Sequence, residues 1–377
     1  MKVRFEDVIT RVTGNVDRYC TELEYYVGGD QYDSSALTIE RRGDLKKDVD
    51  ILGFKFHFPF KSGDVLLMAR NPHLRKAAQV FFDGLCSDAS YILRTKDENK
   101  LRQNYIPLIL QSNHFWDWFE SHKTGGITFL LNWGMLKTYE FELPDIEVQD
   151  DLMGKVWAAY RLKQSYQRLI DATDEMVKSR FIEMFGSTGE ELFPVKKLGN
   201  MAECFAGATP STTVNEYWEN GTIPWMSSGE VHMVHVDKTE AKITQRGYDH
   251  ASTKMVPIHS VVIALAGQGK TRGTVAITEI PLCTNQSLCA IVPGKEIHYE
   301  YLFHNLNGRY LELRGMAGDV NGRGGLNLKI IQNIPIAVPP MPMQERFVKI
   351  AQQADKSKFE LKQAIDKIDK VIRNLIG

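Results

Sequence analysis

Two segments of the sequence resemble each other. Residues 131–150 read LNWGMLKTYEFELPDIEVQD, and residues 326–345 read LNLKIIQNIPIAVPPMPMQE. The two stretches align without a gap at an offset of 195 residues, and Leu131, Asn132, Pro144 and Gln149 are identical to their counterparts. Working outward, shorter segments match in the same order at offsets of 193 and 196 residues. Because self-similarity at a fixed period is the signature of a repeated structural unit, the sequence predicts two similar halves.

Each half ends in a long amphipathic segment. Over residues 347–375, mainly apolar residues recur at alternating spacings of four and three, which is the pattern of a coiled-coil seam. The seam recurs over residues 152–180, and Lys163 and Lys358 occupy the same position in the two copies. A polar seam residue commonly fixes the register of paired helices. A lysine whose stem merely covers the edge of the pair is an equally good interpretation.

Apolar residues also lie off the two seams, more than one antiparallel partner helix would cover. This excess indicates a second contact surface for another protein, although packing on the chain's own domains also accounts for part of it. The candidate interface residues on the helices are Trp157, Tyr160, Lys163, Met176, Phe181, Lys358, Phe359 and Val371.

Short runs of β-branched and aromatic residues precede each long helix. The predicted fold class is therefore α+β, with two α/β domains in tandem repeat. Each domain is followed by a long helix, and the two helices pair as an antiparallel coiled coil. The predicted boundaries are 1–148 for the first domain, 149–186 for its helix, 187–343 for the second domain and 344–377 for its helix.

Composition excludes several classes of protein. The 46 Lys and Arg residues balance 47 Asp and Glu residues, so no broad positive field draws the chain onto nucleic acid, and binding would need local basic clusters. Five cysteines without a C-x-x-C pair argue against a disulfide framework and a zinc site. No apolar run is long enough for a membrane helix, and the first residues lack the apolar core of a secretory signal. We therefore expect a cytoplasmic protein without a membrane partner.

One motif suggests an enzyme. Residues 264–271 read ALAGQGKT, which departs from the phosphate-loop pattern G-x-x-x-x-G-K-[ST] at its first glycine. A phosphate loop opens a helix, whereas a β-branched run follows here and favours a strand–turn–strand tip. We expect Lys270, Thr271 and Arg272 to project from this tip, and Arg75 and Lys76 from the corresponding tip of the first half. Basic tips in both halves suggest a polyanion ligand, although exposed turns often carry such residues by default.

The remaining catalytic patterns are missing from the sequence. There is neither a [DN]-P-P-[YF] motif nor a G-x-G-x-x-G after a strand, and Pro144-Asp145 lacks a nearby Glu-x-Lys. The ten histidines show no metal-ligand spacing. We therefore predict no catalytic residue and no metal site in this chain.

A set of local motifs in the second half identifies a resemblance. The chain resembles the specificity (S) subunit of type I restriction-modification systems, densely over residues 195–377 and in the first half mainly in layout. The first half keeps Gly14, Arg75, Leu131-Asn132, Pro144 and Gln149 but lacks the G-x-T-P-S and I-P-W elements. The motifs of the second half are G-x-T-P-S at 207–211, Y-W at 217–218, G-x-I-P-W at 221–225, T-R-G at 271–273, N-Q at 285–286, L-N at 326–327 and P-P-x-x-x-Q at 339–344.

The resemblance implies a non-catalytic DNA-binding adaptor. Each target-recognition domain would read one half of a split, asymmetric site in double-stranded DNA. The helices would dock two methyltransferase (M) subunits, which bring S-adenosylmethionine for adenine methylation, and restriction (R) subunits would bring ATP and Mg. The chain itself is expected to hold no cofactor. The candidate DNA-contacting residues are Arg75, Lys76, Ser227, Glu230, Lys270, Thr271, Arg272 and Arg323.

Two alternatives remain open at this point. The first is a degenerate P-loop-like nucleotide-binding enzyme built around Gly267 to Thr271. The second is a specificity subunit that serves a restriction enzyme with methylase and nuclease fused in a separate chain. ATP binding by the isolated chain would distinguish the first alternative from a DNA-binding adaptor. The kind of restriction enzyme that the neighbouring genes encode would distinguish the second.

Overall fold

The computed structural model describes residues 1–122, 130–187, 192–267, 269–316 and 325–377. The chain forms two compact units, which we call the first and second unit. The first unit comprises Met1–Leu169 and Leu361–Gly377, and the second comprises Ile170–Glu360. Each of the two long helices therefore contributes residues to both units.

The elements of the first half alternate short strands and short helices before the first long helix. The strands are β1 (Lys2–Arg4), β2 (Ile9–Val12), β3 (Tyr25–Val27), β4 (Thr38–Ile39), β5 (Gly43–Asp44), β6 (Phe56–Phe60), β7 (Val65–Met68), β8 (Ala77–Val80), β9 (Gly84–Ser87), β10 (Ser90–Thr95) and β11 (Glu140–Glu142). The helices are α1 (Phe5–Val8), α2 (Leu45–Asp48), α3 (Ile106–Gln111), α4 (Asn113–His122), α5 (Trp133–Leu136) and the long α6 (Ile146–Phe185), and 3-10 turns lie at Gly29–Gln31, Pro72–Leu74 and Gln103–Tyr105.

The second half repeats this alternation. Its strands are β12 (Val195–Lys197), β13 (Ala202–Ala206), β14 (Ile223–Met226), β15 (His235–Val236), β16 (Ala241–Ile243), β17 (Val261–Ala264), β18 (Val275–Thr278), β19 (Cys283–Thr284), β20 (Leu288–Pro293) and β21 (Pro335–Ala337). Its helices are α7 (Gln245–His250), α8 (Tyr299–Gly308), α9 (Tyr310–Gly315), α10 (Leu328–Gln332) and the long α11 (Met341–Ile376), with 3-10 turns at Leu198–Asn200, Asn215–Tyr217 and Ser228–Met233.

The main sheets of the two units have the same topology. The order of the main sheet is β2-β10-β7-β8-β4 in the first unit and β13-β20-β17-β18-β15 in the second. In each, only the last pair is parallel, namely β4 with β8 and β15 with β18. The smaller sheets are β5-β3-β9-β6 and β16-β14-β19, and β1 and β12 pair with β11 and β21. The prediction of a mixed fold of helices and sheets is confirmed.

A buried glutamine ties each long helix to its domain. Gln149 and Gln344 are both fully buried. Each side chain accepts one backbone N–H and donates to two backbone carbonyls, at distances between 2.8 and 3.1 Å. The partners are Arg102, Lys100 and Pro144 for Gln149, and His298, Glu296 and Pro339 for Gln344. Since an unpaired buried polar group is costly, this network explains why the repeat retains glutamine.

The predicted seams are the buried faces of the two long helices. Every seam residue from 152 to 180 and from 347 to 375 is buried or half-buried. Val156 and Ile372 lie in the core of the first unit, and Val177 and Phe347 lie in that of the second. The helices begin at Ile146 and Met341, three residues before the predicted starts. A first turn tolerates proline because its N–H groups have no partner within the helix, so Pro342 does not delay the start of α11.

Candidate nucleic-acid interface and partner surface

The tip of the second unit joins two antiparallel strands, β17 and β18. Gly269 and Gly273 adopt positive φ angles of 73° and 82°, which glycine reaches without strain. The Tyr310 hydroxyl donates to the Lys270 carbonyl at 3.1 Å, and Arg314 donates to the Gly269 carbonyl. The prediction of a strand–turn–strand tip is confirmed. Since a strand follows the tip, the helix that a phosphate loop requires is not in place there, and this tip does not support the nucleotide-binding alternative.

Arg272 does not project from this tip, and the prediction for this residue is wrong. Its side chain is buried, with 8% exposed. The Gly273 N–H donates to the Ala264 carbonyl at 2.9 Å, so the chain has rejoined the sheet directly after Arg272. Lys270 remains exposed and Thr271 is half-buried. Arg323, another predicted contact, lies outside the described residues.

At the tip of the first unit, the two predicted cations contact their own unit. The Arg75 guanidinium donates to Asn113 Oδ1 at 3.0 Å, and Lys76 Nζ donates to the Gly29 carbonyl at 2.8 Å. Both side chains are half-buried, whereas Arg70 and His73 beside them are exposed. The free basic surface of this tip therefore includes two residues that sequence reasoning missed. Arg70 and His73 lie between the end of β7 and the start of β8, and this position in the chain is the only feature of the sequence that could have indicated their exposure.

Glu230 stabilises the second unit rather than facing outward. Its side chain is buried, with 6% exposed. One carboxylate oxygen accepts the Ser227 N–H at 2.6 Å, and the other accepts the Glu240 N–H at 2.8 Å. The carboxylate therefore caps the 3-10 turn and ties it to a neighbouring segment. The DNA contact of Glu230 stays a prediction, although both of its carboxylate oxygens accept hydrogen bonds within the fold. Ser227 is half-buried as the cap of the same turn.

Several motifs behind the resemblance converge on one loop. A Cβ atom at Gly207 would lie 2.0 Å from the Thr284 carbonyl oxygen, so only glycine fits there. Trp218 and Trp225 donate their ring N–H groups to carbonyls of the 207–211 loop at 3.0 and 3.1 Å. Their rings pack edge to face at 5.0 Å. These motif residues shape the loops around β14.

Three of the candidate interface residues on α6 belong to the domain cores. Tyr160 is buried, and its hydroxyl lies 3.2 Å from Thr38 Oγ1. Trp157 donates its ring N–H to the Asn104 carbonyl at 3.0 Å. The Phe181 ring stacks on Tyr301 at 5.5 Å. Packing on the chain's own domains therefore accounts for these three residues, whereas Met176, Phe359 and Val371 are exposed.

The two seam lysines form ion pairs with the opposite long helix. Lys163 Nζ lies 2.6 Å from Asp369, and Lys358 Nζ lies 2.6 Å from Asp174. Asp174 and Asp369 are themselves separated by 195 residues, so the repeat relates the two pairs. Burial alone would lower the pKa of Lys358, but hydrogen bonds to Asp174 and Asp355 outweigh this and raise it. Specific partners favour the register-fixing interpretation over that of edge lysines.

A second seam runs along α6 between residues 158 and 179, where each of its positions comes one residue before a position of the first seam. It is therefore rotated by ~100° around the helix. All seven of its residues between 158 and 179 are exposed and uncharged. The corresponding row on α11 is interrupted by Glu360 and Lys367. The second seam consists of Ala158, Leu162, Ser165, Leu169, Ala172, Met176 and Ser179.

Two kinds of feature are absent from the part of the chain that the structure describes. No helix there is long and apolar enough to cross a membrane. No group of three or more His, Cys, Asp or Glu side chains in these ranges is placed to hold a metal ion.

The second half of the chain is similar to proteins of a known family. Residues 190–370 match the model of the type I restriction modification DNA specificity domain. The chain is also 31% identical over 163 residues to the specificity subunit of the type I restriction enzyme EcoR124I/EcoR124II from Escherichia coli. That alignment covers 42% of this chain and 40% of the relative, less than half of each. The resemblance inferred from the motifs is confirmed.

Solved structures resemble the fold over the whole chain. A chain from the type I R-M system, solved to explain its complex assembly and conformational transition, is 18% identical with a TM-score of 0.59. That match covers 100% of this chain and 96% of the other. The type I restriction-modification S subunit from M. genitalium is 12% identical with a TM-score of 0.59, covering 100% and 94%. At these identities the likeness concerns the fold.

Proposed function

We propose that this chain is the subunit that reads the DNA sequence in a type I restriction-modification complex. Its residues 190–370 match the model of the DNA specificity domain of such systems. The observation that carries this proposal is the strand order of the main sheet, which is the same in both units although the family model matches residues 190–370. Each unit then acts as a target-recognition domain. Two different domains read the two halves of a split, asymmetric site.

Antiparallel pairing of the long helices is part of this proposal, and the two ion pairs support it. Lys163 pairs with Asp369, and the later Asp174 pairs with the earlier Lys358. Moving from Lys163 to Asp174 along α6 therefore corresponds to moving backward from Asp369 to Lys358 along α11, as antiparallel pairing requires. α6 has 40 residues and is ~60 Å long at 1.5 Å per residue, which exceeds the ~34–36 Å of one DNA turn. We expect unread bases between the two half-sites.

Partner subunits supply the chemistry in this proposal. The second seam supports a docking role for α6, because an exposed and uncharged row at heptad spacing is the surface that a further helix needs. Methyltransferase subunits would bind there and bring S-adenosylmethionine. Restriction subunits would join the assembly with ATP and Mg. The chain itself takes no part in bond making or bond breaking.

Methyl transfer measured with and without a partner tests this function. We expect the purified chain to transfer no methyl group from labelled S-adenosylmethionine to DNA. Addition of the methyltransferase subunit of its own system should produce methylation at a defined sequence, and that subunit alone is the control. Transfer by the chain alone, or equal transfer by the methyltransferase subunit alone, would contradict the proposal.

A further inference from the structure

Two loops of the second unit meet beside the hairpin tip. The 3-10 turn Ser228–Met233 leads into β15, and β15 is the parallel neighbour of β18, which follows the tip. His232 Nε2 lies 3.3 Å from Thr271 Oγ1. The His232 and Lys270 side chains are both exposed. The sheet thus brings His232 and Thr271 together from segments that are 39 residues apart in sequence, and Lys270 is the chain neighbour of Thr271.

The backbone beneath these side chains is held in place. Glu230 caps the turn from the inside, and Tyr310 holds the tip through the Lys270 carbonyl. Val234 closes the turn with a φ angle of 65°, a conformation that a β-branched residue rarely adopts. Its carbonyl accepts the Ile277 N–H at 2.7 Å, which fixes this strained residue to the sheet. Such strain persists where the surroundings determine a geometry, and sequence readout needs a fixed geometry.

The same scaffold occurs in the first unit with different side chains. There the 3-10 turn Gly29–Gln31 is capped by Gln31, whose side-chain oxygen accepts the Gly28 N–H at 2.9 Å. Lys76 from the tip donates to the Gly29 carbonyl at 2.8 Å, in place of the histidine–threonine contact. Turn and tip are therefore neighbours in both units. A shared scaffold with different side chains is the arrangement expected of two readers of different bases.

We propose that His232 and Thr271 determine base specificity in the half-site of the second unit, with Lys270 contacting an adjacent phosphate; this rests on the proposed function. An imidazole and a hydroxyl each donate and accept hydrogen bonds, so together they match the donor and acceptor pattern of a base edge. At 3.3 Å their mutual contact is long, and it exchanges readily for contacts to a base. The compact charge of a lysine suits a phosphate, which positions the protein without reading sequence.

Mapping methylated sequences with single variants tests this inference. Complexes of the methyltransferase subunit with wild type, His232→Ala, Thr271→Val and Lys270→Ala are compared by methylation mapping and by DNA binding at several salt concentrations. We expect His232→Ala and Thr271→Val to lose discrimination roughly 5- to 100-fold at one position of one half-site. Lys270→Ala should keep the sequence and lower the log–log salt slope by about 1. His250→Ala is the control, since His250 is an exposed histidine elsewhere in the unit.

Each outcome of this experiment has a distinct meaning. Methylation at the unaltered half-site shows that a variant is folded and assembled. An unchanged sequence in both His232→Ala and Thr271→Val, or an equal change in His250→Ala, would overturn the inference and leave the proposed function standing. Failure of the wild-type complex to methylate any defined sequence would instead overturn the proposed function.

Discussion

Replacing residues 195–340 with the equivalent segment of a type I specificity subunit is expected, on the proposed function, to change one half of the methylated sequence and keep the other. The segment contains both strands of the β12–β21 pair and the whole main sheet of the second unit. It therefore carries the candidate reading loops together with the sheet that orders them. The junctions need care because Phe181 and Phe347 of the long helices pack in the same core, so the donor should have aromatic residues at these two positions.

Mapping of methylated adenines in the host genome measures the result of this exchange. A reciprocal exchange of residues 1–142 is the matched control and should change the opposite half-site. The number of unread bases between the half-sites should stay constant in both hybrids, because α6 and α11 are retained. A hybrid that changes both half-sites together would show that the two units do not read independently.

Combining Leu162→Glu with Met176→Glu is expected to weaken the binding of a methyltransferase subunit by a factor of about 100 or more. Both side chains lie on the second seam and are about half exposed, at 45% and 46%. Full burial of such a side chain contributes roughly 1.5–3 kcal/mol, and because each is already about half buried, the two together lose roughly 1.5–3 kcal/mol of the ~2.8 kcal/mol that a factor of 100 requires. A carboxylate placed in that interface adds a desolvation cost.

Titration calorimetry with the partner subunit measures this loss. Lys367→Glu is the control, because Lys367 is exposed and occupies the position on α11 that corresponds to Ala172 on α6. Thermal unfolding of the double variant should match wild type, since both positions are exposed. Unchanged affinity in the double variant, or an equal loss in the control, would exclude the second seam as the docking surface.

Features with a short period along the chain could be predicted from the sequence. The seam positions were correctly identified, because their alternating spacing depends only on helix geometry. The equivalence of Gln149 and Gln344 also followed from the constant offset, although their hydrogen-bond network did not. The start of each long helix was misplaced by three residues, since a first turn leaves little trace in the periodicity.

Side-chain direction at the loops could not be predicted in the same way. Arg272 is buried because Gly273 rejoins the sheet beside Ala264, and Glu230 faces inward because it binds the distant Glu240 N–H. These contacts join segments that the local sequence does not relate. The contact of His232 could not be predicted for the same reason, since its neighbour Thr271 lies 39 residues away.

On the long helices, too, the sequence did not predict which apolar residues are exposed. The sequence marked Trp157, Phe181 and Met176 alike as apolar residues off the first seam. Only the packing of the domains separates them, because the first two contact core residues and Met176 is exposed. Leu162 and Met176 form a row only among the exposed residues of α6, and the local sequence does not determine which residues are exposed.

The most direct test of the central claim is to map the methylated adenines in DNA from cells that carry this chain with its methyltransferase subunit. Two units of the same topology that read separately predict two different specific blocks, separated by a fixed number of unread bases. A single continuous short recognition sequence would contradict the account.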